Sequence, residues 1–324
     1  MGRDYVNVVY QVGVEAVPGT PVAANRRLPS ISLMCEPDIR ATQFRPNGAR
    51  TNTISQIQRV MAGGNYEGPW TYNEFAYICA NMFGDENGVS TSGLVNTWEF
   101  KPKTYGKDTG QKTFTLQFGD ATHVYQVAYC QFINMMLAIT LEGANVSGTF
   151  FAREMVSGSL SPNPVSIPQL PVNINEINVF FDTSFANIGT TKVTDALGFE
   201  LEVTDKYKAK EVLNTDFPAF KESVDLPFTV NARLLSENNA QLQAIYNAMA
   251  VSGNPTRFLR CSAIGPDLGA GKYKIEIDAA VKLTGAPFED ADGVYSQRLE
   301  LIAVDDASFG GFLKITVVNA LSEL

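Results

Sequence analysis

Histidine is almost absent from this chain, and cysteine is sparse. The 324 residues contain one histidine and four widely separated cysteines, with no CxxC pair. A histidine-based metal site needs several imidazoles, and a secreted disulfide scaffold needs denser cysteines. The composition therefore disfavours both classes. It predicts free thiols in a protein made in a reducing cytoplasm.

Long apolar runs are also missing. The most apolar segment, Val127 to Leu141, is interrupted by Gln131 and Asn134 and is too short to span a bilayer. The first residues carry no apolar stretch of the signal-peptide type. We therefore expect no contact with a membrane.

Positive charge is in deficit. Asp and Glu number 34 against 25 Lys and Arg, which gives a net charge of −9. Residues 1–160 carry a net charge of −1 and residues 161–324 one of −8. An acidic chain gains little affinity for nucleic acid through counterion release. We therefore expect that DNA is not held tightly.

The sequence offers no combination of residues that points to catalysis. The single histidine, His123, follows Gly119 and Asp120 beside a predicted hairpin turn. A nucleophilic mechanism would need a nucleophile and an orienting acid beside it, and no GxSxG elbow accompanies it. We predict a non-enzymatic protein without catalytic residues, cofactor or metal.

Alternating apolar and polar runs predict a mainly β protein. Gly, Asn, Asp and Pro separate these runs, which is typical of sheets joined by turns. The predicted strands are Val6–Val12, Thr113–Phe118, Val124–Phe132, Leu137–Leu141, Phe199–Val203, Tyr273–Ile277, Arg298–Val304 and Phe312–Val318.

Two segments have the spacing of amphipathic helices, each with one buried stripe. The first opens with a capping box, Thr71-x-x-Glu74, and ends at Gly84. Its apolar positions are Phe75, Ile78, Cys79 and Met82. The second ends at Gly253, and its apolar positions are Leu242, Ile245, Tyr246 and Met249.

The order of these features predicts an internal duplication. The motif Glu67–Asn73 (EGPWTYN) resembles Asp225–Asn231 (DLPFTVN), and each lies between a long polar segment and a predicted helix. Ser157–Pro171 contains four prolines and reads as a linker. We predict a first domain over 1–160, a Pro-rich linker over 161–171 and a second domain over 172–324.

The two long polar segments, Arg40–Ala62 and Asp205–Glu222, are the candidate contact surfaces. Residues 39–66 contain four arginines and no acid. Such a segment could contact the acidic half of a neighbouring subunit or form a solvated loop. It could also contact nucleic acid, but the aromatic residues that would stack on bases are scarce. The candidate residues for contacts within or between rings of subunits are Arg40, Arg45, Arg50, Arg59, Lys206, Lys208 and Lys210.

Several of these stretches together resemble a known family. They are Gly19–Arg27 (GTPVAANRR), Gly68–Phe75 (GPWTYNEF), Phe83–Gly84 at the end of the helix, and Val146–Arg153 (VSGTFFAR). The combination resembles the tail tube (major tail) proteins of long-tailed, non-contractile bacteriophages. The resemblance covers the first half directly and the second half through the duplication.

The resemblance implies two tandem tail-tube-type β-sandwich or barrel domains, each with one flanking α-helix and a long polar loop. It implies a structural virion protein whose rings stack into a hollow tube through which DNA passes transiently. Six domains usually complete a ring, so two domains per chain favour a trimer with pseudo-sixfold symmetry. Other partners would be the tape measure, the tail terminator and the baseplate or tip.

Two alternatives stay open at this point. The second half could be a decoration domain, in which case six chains would form a ring. The whole chain could instead be a non-enzymatic β-sandwich protein of the virion surface that decorates it or binds a receptor. Exposed aromatic residues on loop tips would favour that alternative, and self-polymerisation would count against it.

Overall fold

The structure is a computed structural model that describes residues 8–84, 90–92, 95–104, 111–120, 122–204, 207–210, 213, 220–223, 229–291 and 293–324. The described chain is mainly β, as the alternating runs predict, and contains two α-helices. Strands up to residue 166 are β1 Val9–Val14, β2 Arg26–Arg27, β3 Ser32–Phe44, β4 Ile54–Pro69, β5 Ser90–Ser92, β6 Val95–Phe100, β7 Phe114–Gly119, β8 Val124–Phe132, β9 Met135–Thr140, β10 Gly143–Ala152, β11 Met155–Ser157 and β12 Val165–Ser166.

The remaining strands are β13 Ile177–Asp182, β14 Ala196–Val203, β15 Tyr207–Lys210, β16 Phe220–Ser223, β17 Val230–Glu237, β18 Arg257–Asp267, β19 Lys272–Gly285, β20 Phe288–Ala291, β21 Val294–Ala303 and β22 Leu313–Asn319. The helices are α1 Glu74–Met82 and α2 Ala240–Tyr246, and the π-helical residues Asn247–Val251 continue the second. Short 3₁₀ turns lie at Ile174–Glu176 and Phe185–Asn187.

Helix α1 differs from the expected amphipathic helix because every one of its residues is buried. The predicted capping box forms only in part. Thr71 Oγ1 accepts a hydrogen bond from the backbone N–H of Glu74 at 3.1 Å, but Glu74 Oε1 accepts from the backbone N–H of Ser30 at 3.0 Å. Burial raises the pKa of Glu74 to about 7, although the hydrogen bonds from Ser30 act in the opposite direction. The helix therefore belongs to the core.

The two halves of the chain use the same order of strand pairing. In the first half β1 pairs with β7, β7 with β8, β8 with β10, β10 with β4, and β4 with β3. In the second half β13 pairs with β18, β18 with β19, β19 with β21, β21 with β17, and β17 with β14. Strands β9 and β20 form hairpins with β10 and β21, and each helix follows β4 or β17.

The sequence motif that suggested the duplication does not mark equivalent positions. Asn73 directly precedes α1, whereas Asn231 lies near the start of β17, nine residues before α2. The residues 225–228 lie outside the described residues. The similarity of Glu67–Asn73 to Asp225–Asn231 is thus a wrong alignment, and the shared pairing order is the stronger sign of repetition.

The segment expected to link two domains packs along the first half. Strand β12 pairs in parallel with β2, and the Pro168 carbonyl accepts a hydrogen bond from Asn73 Nδ2 at 2.9 Å. Direct strand pairing also joins the halves, because β9 pairs with β14 and β6 with β22. The halves therefore share one hydrogen-bonded sheet.

The two long polar segments are β-hairpins and not loops. The segment Arg40–Ala62 lies in a ribbon formed by β3 and β4, whose connecting turn covers only residues 45–53. The segment Asp205–Glu222 contains β15 and β16, which pair with each other. The loop prediction was wrong for these strands because exposed ribbons lack the clean alternation of apolar and polar residues that half-buried strands show.

Candidate assembly interface

Eight strands follow one another without a break in the shared sheet. Their order is β3, β4, β10, β9, β14, β17, β21 and β20, and every neighbouring pair is antiparallel. The first four belong to the first half of the chain and the last four to the second half. The pair β9 and β14 is therefore the junction between two four-stranded units.

One face of these strands is buried in the core. A row of directly opposite residues crosses five strands and is fully buried: Val146, Leu137, Leu201, Ala232 and Leu301. The neighbouring row points to the other side and contains Asn145, Ala138, Glu200, Arg233 and Glu300. We name this second side the open face.

Acidic residues outnumber basic ones on the open face. By the alternation of the paired strands, its acids are Glu36, Asp38, Glu67, Glu200, Glu202, Glu237, Glu289 and Glu300, and its bases are Arg40, Arg59, Arg233 and Arg298. The Nη1 of Arg233 lies 3.0 Å from Glu200, and its Nη2 lies 3.6 Å from Glu202. The hydrogen bond that Arg233 donates to Glu200 raises the pKa of Arg233. All three side chains of this network are partly exposed, so each pair adds little stability.

Both ends of the eight-stranded order are free edges. Within the described residues, β3 pairs only with β4 and β20 pairs only with β21. A free edge presents unpaired N–H and C=O groups that can pair with another strand. The two edges thus offer a surface at each end for a further copy of the chain.

The hairpin of β15 and β16 contacts the other half of the chain. The hydroxyl of Tyr207 donates to the Met82 carbonyl at 2.8 Å and accepts from Gln111 Nε2. Its ring packs in a cluster with Tyr129 and Phe151. A hairpin of the second four-stranded unit is therefore docked on the first unit.

Among the described residues, the corresponding ribbon of the first half extends beyond its neighbouring strands. Strand β4 pairs with β10 only from Ala62 to Pro69, so no described strand pairs with the outer sides of the β3–β4 ribbon before Ala62. We call residues 38–61 the arm. Its exposed apolar residues are Ile39, Phe44, Ile54 and Ile57. These apolar residues do not recur at every second position, so the sequence shows no strand pattern here.

The predicted contact residues are dispersed over the two hairpins. Arg40 is exposed and lies opposite Arg59, with its Nε 3.6 Å from Asp38. Arg59 is 8% exposed, and its Nη2 donates to the Met61 sulfur.

The other candidates are less informative. Arg45 and Arg50 are exposed at the turn of the arm, and Lys208 is exposed on β15. Lys210 belongs to β15, but its side chain is outside the described part of the structure, as is the whole of Lys206. The structure therefore brings no single basic patch together.

The other polar features are local. His123 is exposed, and its Nδ1 lies 3.1 Å from Thr122 Oγ1 in a turn organised by Asp120. Among the described residues, no group of three or more His, Cys, Asp or Glu side chains could hold a metal ion. None of the helices in the described ranges is long and apolar enough to cross a membrane.

No protein-family model matches this sequence, and no curated protein matches it.

Proposed function

We propose that this chain is a structural virion protein that assembles into rings, and that the rings stack into the tail tube of a long-tailed bacteriophage. Two tandem tube-type units in each chain favour a ring of three chains with pseudo-sixfold symmetry. The protein is made in the host cytoplasm and ends in the virion.

The observation that carries the proposal is the junction of β9 with β14. It joins two units that have the same pairing order and leaves one free edge on each. Head-to-tail repetition of one contact builds a ring when the rotation closes. Closure also removes both exposed edges, which would otherwise favour uncontrolled aggregation.

The size of such a ring fits a conduit. Three chains would contribute 24 strands. With a strand spacing of about 4.8 Å, the wall has a circumference of about 115 Å and a diameter of about 37 Å. Barrels of 16 or more strands leave an aqueous channel. A ring of this size therefore has room for a lumen.

The two faces of the sheet assign the inside and the outside of that ring. The core that includes α1 packs on the buried face of the sheet. This core needs space outside the wall of the ring, so the open face lines the channel. Eight acids against four arginines give that lining a negative charge, which repels DNA phosphates. DNA can then pass through without being held.

The arm gives the rings a means to stack. It extends beyond the sheet and exposes Ile39 and Ile57 together with the basic side chains of Arg40, Arg45 and Arg50. The second half of the chain is strongly acidic, so a neighbouring ring presents a complementary charge. The resemblance adds the tape measure, the tail terminator and the baseplate or tip as further partners.

Electron microscopy of the purified protein tests the proposal. We expect hollow rings or tubes in negative stain, with a six-lobed ring that repeats three times in end-on averages. Rings of six chains would retain the tube function and make the second half a decoration. A protein that stays monomeric at high concentration, or forms only compact oligomers without a channel, would overturn the tube proposal.

The alternative of a surface decoration protein has one observation in its favour. Phe288 and Tyr295 are exposed and stack with their ring centroids 5.3 Å apart. They lie, however, on the hairpin that carries the free edge of β20, where a second copy would also cover them. A decoration protein would bind preformed virions and would not polymerise alone, so the same micrographs separate the two functions.

A further inference from the structure

The hairpins of the two units can be aligned residue by residue. In β9–β10 the closing pair is Thr140 with Gly143, and in β20–β21 it is Ala291 with Val294, so both hairpins have a two-residue loop. Counting from these turns, Ala138 corresponds to Glu289. By the same count, Leu137 corresponds to Phe288 and Ser147 to Arg298.

The alignment continues across the next two strands. Ser147 lies opposite Glu67, and Arg298 lies opposite Leu235, so Glu67 and Leu235 are equivalent. Glu67 lies opposite Ser32, and Leu235 lies opposite Gly198. Strand β14 is therefore the equivalent of β3. The residue that corresponds to Glu200 is Met34, and Leu201 corresponds to Cys35.

The junction inside the chain then predicts the junction between chains. Within the chain Ala138 lies opposite Glu200, and Leu137 lies opposite Leu201. We propose that β20 of one chain pairs antiparallel with β3 of the next, with Glu289 opposite Met34 and Phe288 opposite Cys35. This register rests on the proposed ring assembly and names the two edges that form its contact.

The directions of the backbone groups agree with this register independently. The Pro287 carbonyl accepts a hydrogen bond from the backbone N–H of Arg298 on β21. Because successive residues of a strand direct their backbone groups to opposite sides, the N–H and C=O of Phe288 point to the free edge. The carbonyl of Met34 points to β4, because a Cβ added to Gly64 would lie 1.7 Å from it. The groups of Cys35 therefore also point outward. In the proposed register, the outward N–H and C=O groups of Phe288 lie opposite the outward N–H and C=O groups of Cys35, so the two residues can exchange hydrogen bonds. A slip of one residue would place outward groups opposite groups that already face their own sheet.

The exposure of the side chains also fits. Phe288 is 57% exposed, whereas its equivalent Leu137 and the opposite residue Leu201 at the internal junction are fully buried. Pairing of the two edges would cover Phe288 in the way that the internal junction covers Leu137. Pro287 has no N–H, but no hydrogen bond to β3 of the next chain is lost, because the backbone groups of residue 287 face β21.

Disulfide trapping tests the register. Cys35 is a poor reporter because burial raises the pKa of its thiol to about 12, so the background variant is Cys35→Ser. In that background we would combine Met34→Cys with Glu289→Cys. These residues would form a non-hydrogen-bonded pair, with Cα atoms about 4.5 Å apart, which is within disulfide range. Mild oxidation should give covalent dimers and a final covalent trimer on a non-reducing gel.

Two matched variants serve as controls. Ala138→Cys with Glu200→Cys places the equivalent pair inside one chain, so oxidation should give a cross-linked monomer. Met34→Cys with Asp290→Cys places the thiols on opposite faces and should give little product. The register would be refuted if the Met34→Cys, Glu289→Cys variant formed no disulfides between chains while the internal pair oxidised fully. It would also be refuted if the opposite-face pair cross-linked equally well.

The outcome also separates the register from the proposed function. Hollow rings in micrographs without the expected disulfide would leave the tube function standing and refute this edge contact. Disulfide-linked ladders that continue beyond trimers, without rings or tubes, would support the edge contact and refute the closed tube.

Discussion

Leu137 in β9 lies directly opposite Leu201 in β14, and both side chains are fully buried at the junction between the halves of the chain. Leu201→Ala should lower the free energy of unfolding by about 2–5 kcal/mol, because it removes buried methyl groups and leaves a cavity. Urea denaturation of dilute protein would measure this loss.

The equivalent edge residue supplies the matched comparison. Phe288 is exposed in the single chain, so Phe288→Ala should change the stability of dilute protein by only about 0.5 kcal/mol. Under the proposed edge pairing it should instead raise the concentration needed for ring formation, as seen by sedimentation. A Phe288→Ala protein that assembles like the unchanged chain would contradict the contact.

The docked hairpin predicts a second, smaller effect on stability. Tyr207→Phe removes the hydroxyl that donates to the Met82 carbonyl at 2.8 Å and leaves that acceptor without this donor. A loss of about 0.5–1.5 kcal/mol in urea denaturation is expected for such a hydrogen bond. Tyr125→Phe is the control, because Tyr125 is 39% exposed. Equal losses in the two variants would show that Tyr207 does not hold the hairpin.

The buried carboxyl of α1 predicts a dependence of stability on pH. Burial raises the pKa of Glu74 from 4.5 to about 7, so the folded state favours the protonated form. Its contribution to stability is full below pH 4.5 and is lost as the pH rises to about 7. A shift of this size corresponds to roughly 3 kcal/mol.

Comparison with Glu74→Gln isolates that contribution. The stability of the unchanged protein relative to Glu74→Gln should fall between pH 4.5 and 7 and remain level at higher pH. Unfolding in urea at several pH values gives this difference. Glu142→Gln, on an exposed hairpin loop, should follow the unchanged protein throughout. A difference for Glu74→Gln that does not vary with pH would refute the assignment.

The sequence predicts the half-buried strands best. The predicted run Phe199–Val203 lies in β14, where buried and partly exposed residues alternate because one face is buried. Val124–Phe132 is predicted with the bounds that β8 has in the structure, although residues 127–132 are all buried. The strands of the arm were not predicted, because most of their residues are exposed and their apolar residues do not recur at every second position. The junction of β9 with β14 was also beyond reach, because pairing partners distant in sequence leave no local pattern. The free edges follow only from that pairing.

The charge of the open face predicts how an assembled tube treats DNA. Glu36 and Glu67 are both exposed on that face. Glu36→Lys with Glu67→Lys should make assembled tubes retain duplex DNA in co-sedimentation, and retention should fall steeply with added salt because phosphate contacts release counterions. Glu142→Lys with Glu154→Lys changes the net charge equally outside the eight paired strands and should retain far less. Equal retention by both variants would argue that the open face does not line the channel.

The arm predicts a separation between ring formation and stacking. Replacing Ala41–Gln58 by an Asn-Gly turn would close the ribbon just beyond the opposed pair Arg40 and Arg59. The shortened chain keeps the edges of β3 and β20, so it should fold, with little change in melting temperature, and form single rings that do not stack into tubes. Arg45→Ser with Arg50→Ser keeps the full ribbon and removes only charge; tubes of this control should form but dissociate at lower salt. Normal tubes from the shortened chain, seen by electron microscopy, would contradict a role for the arm between rings.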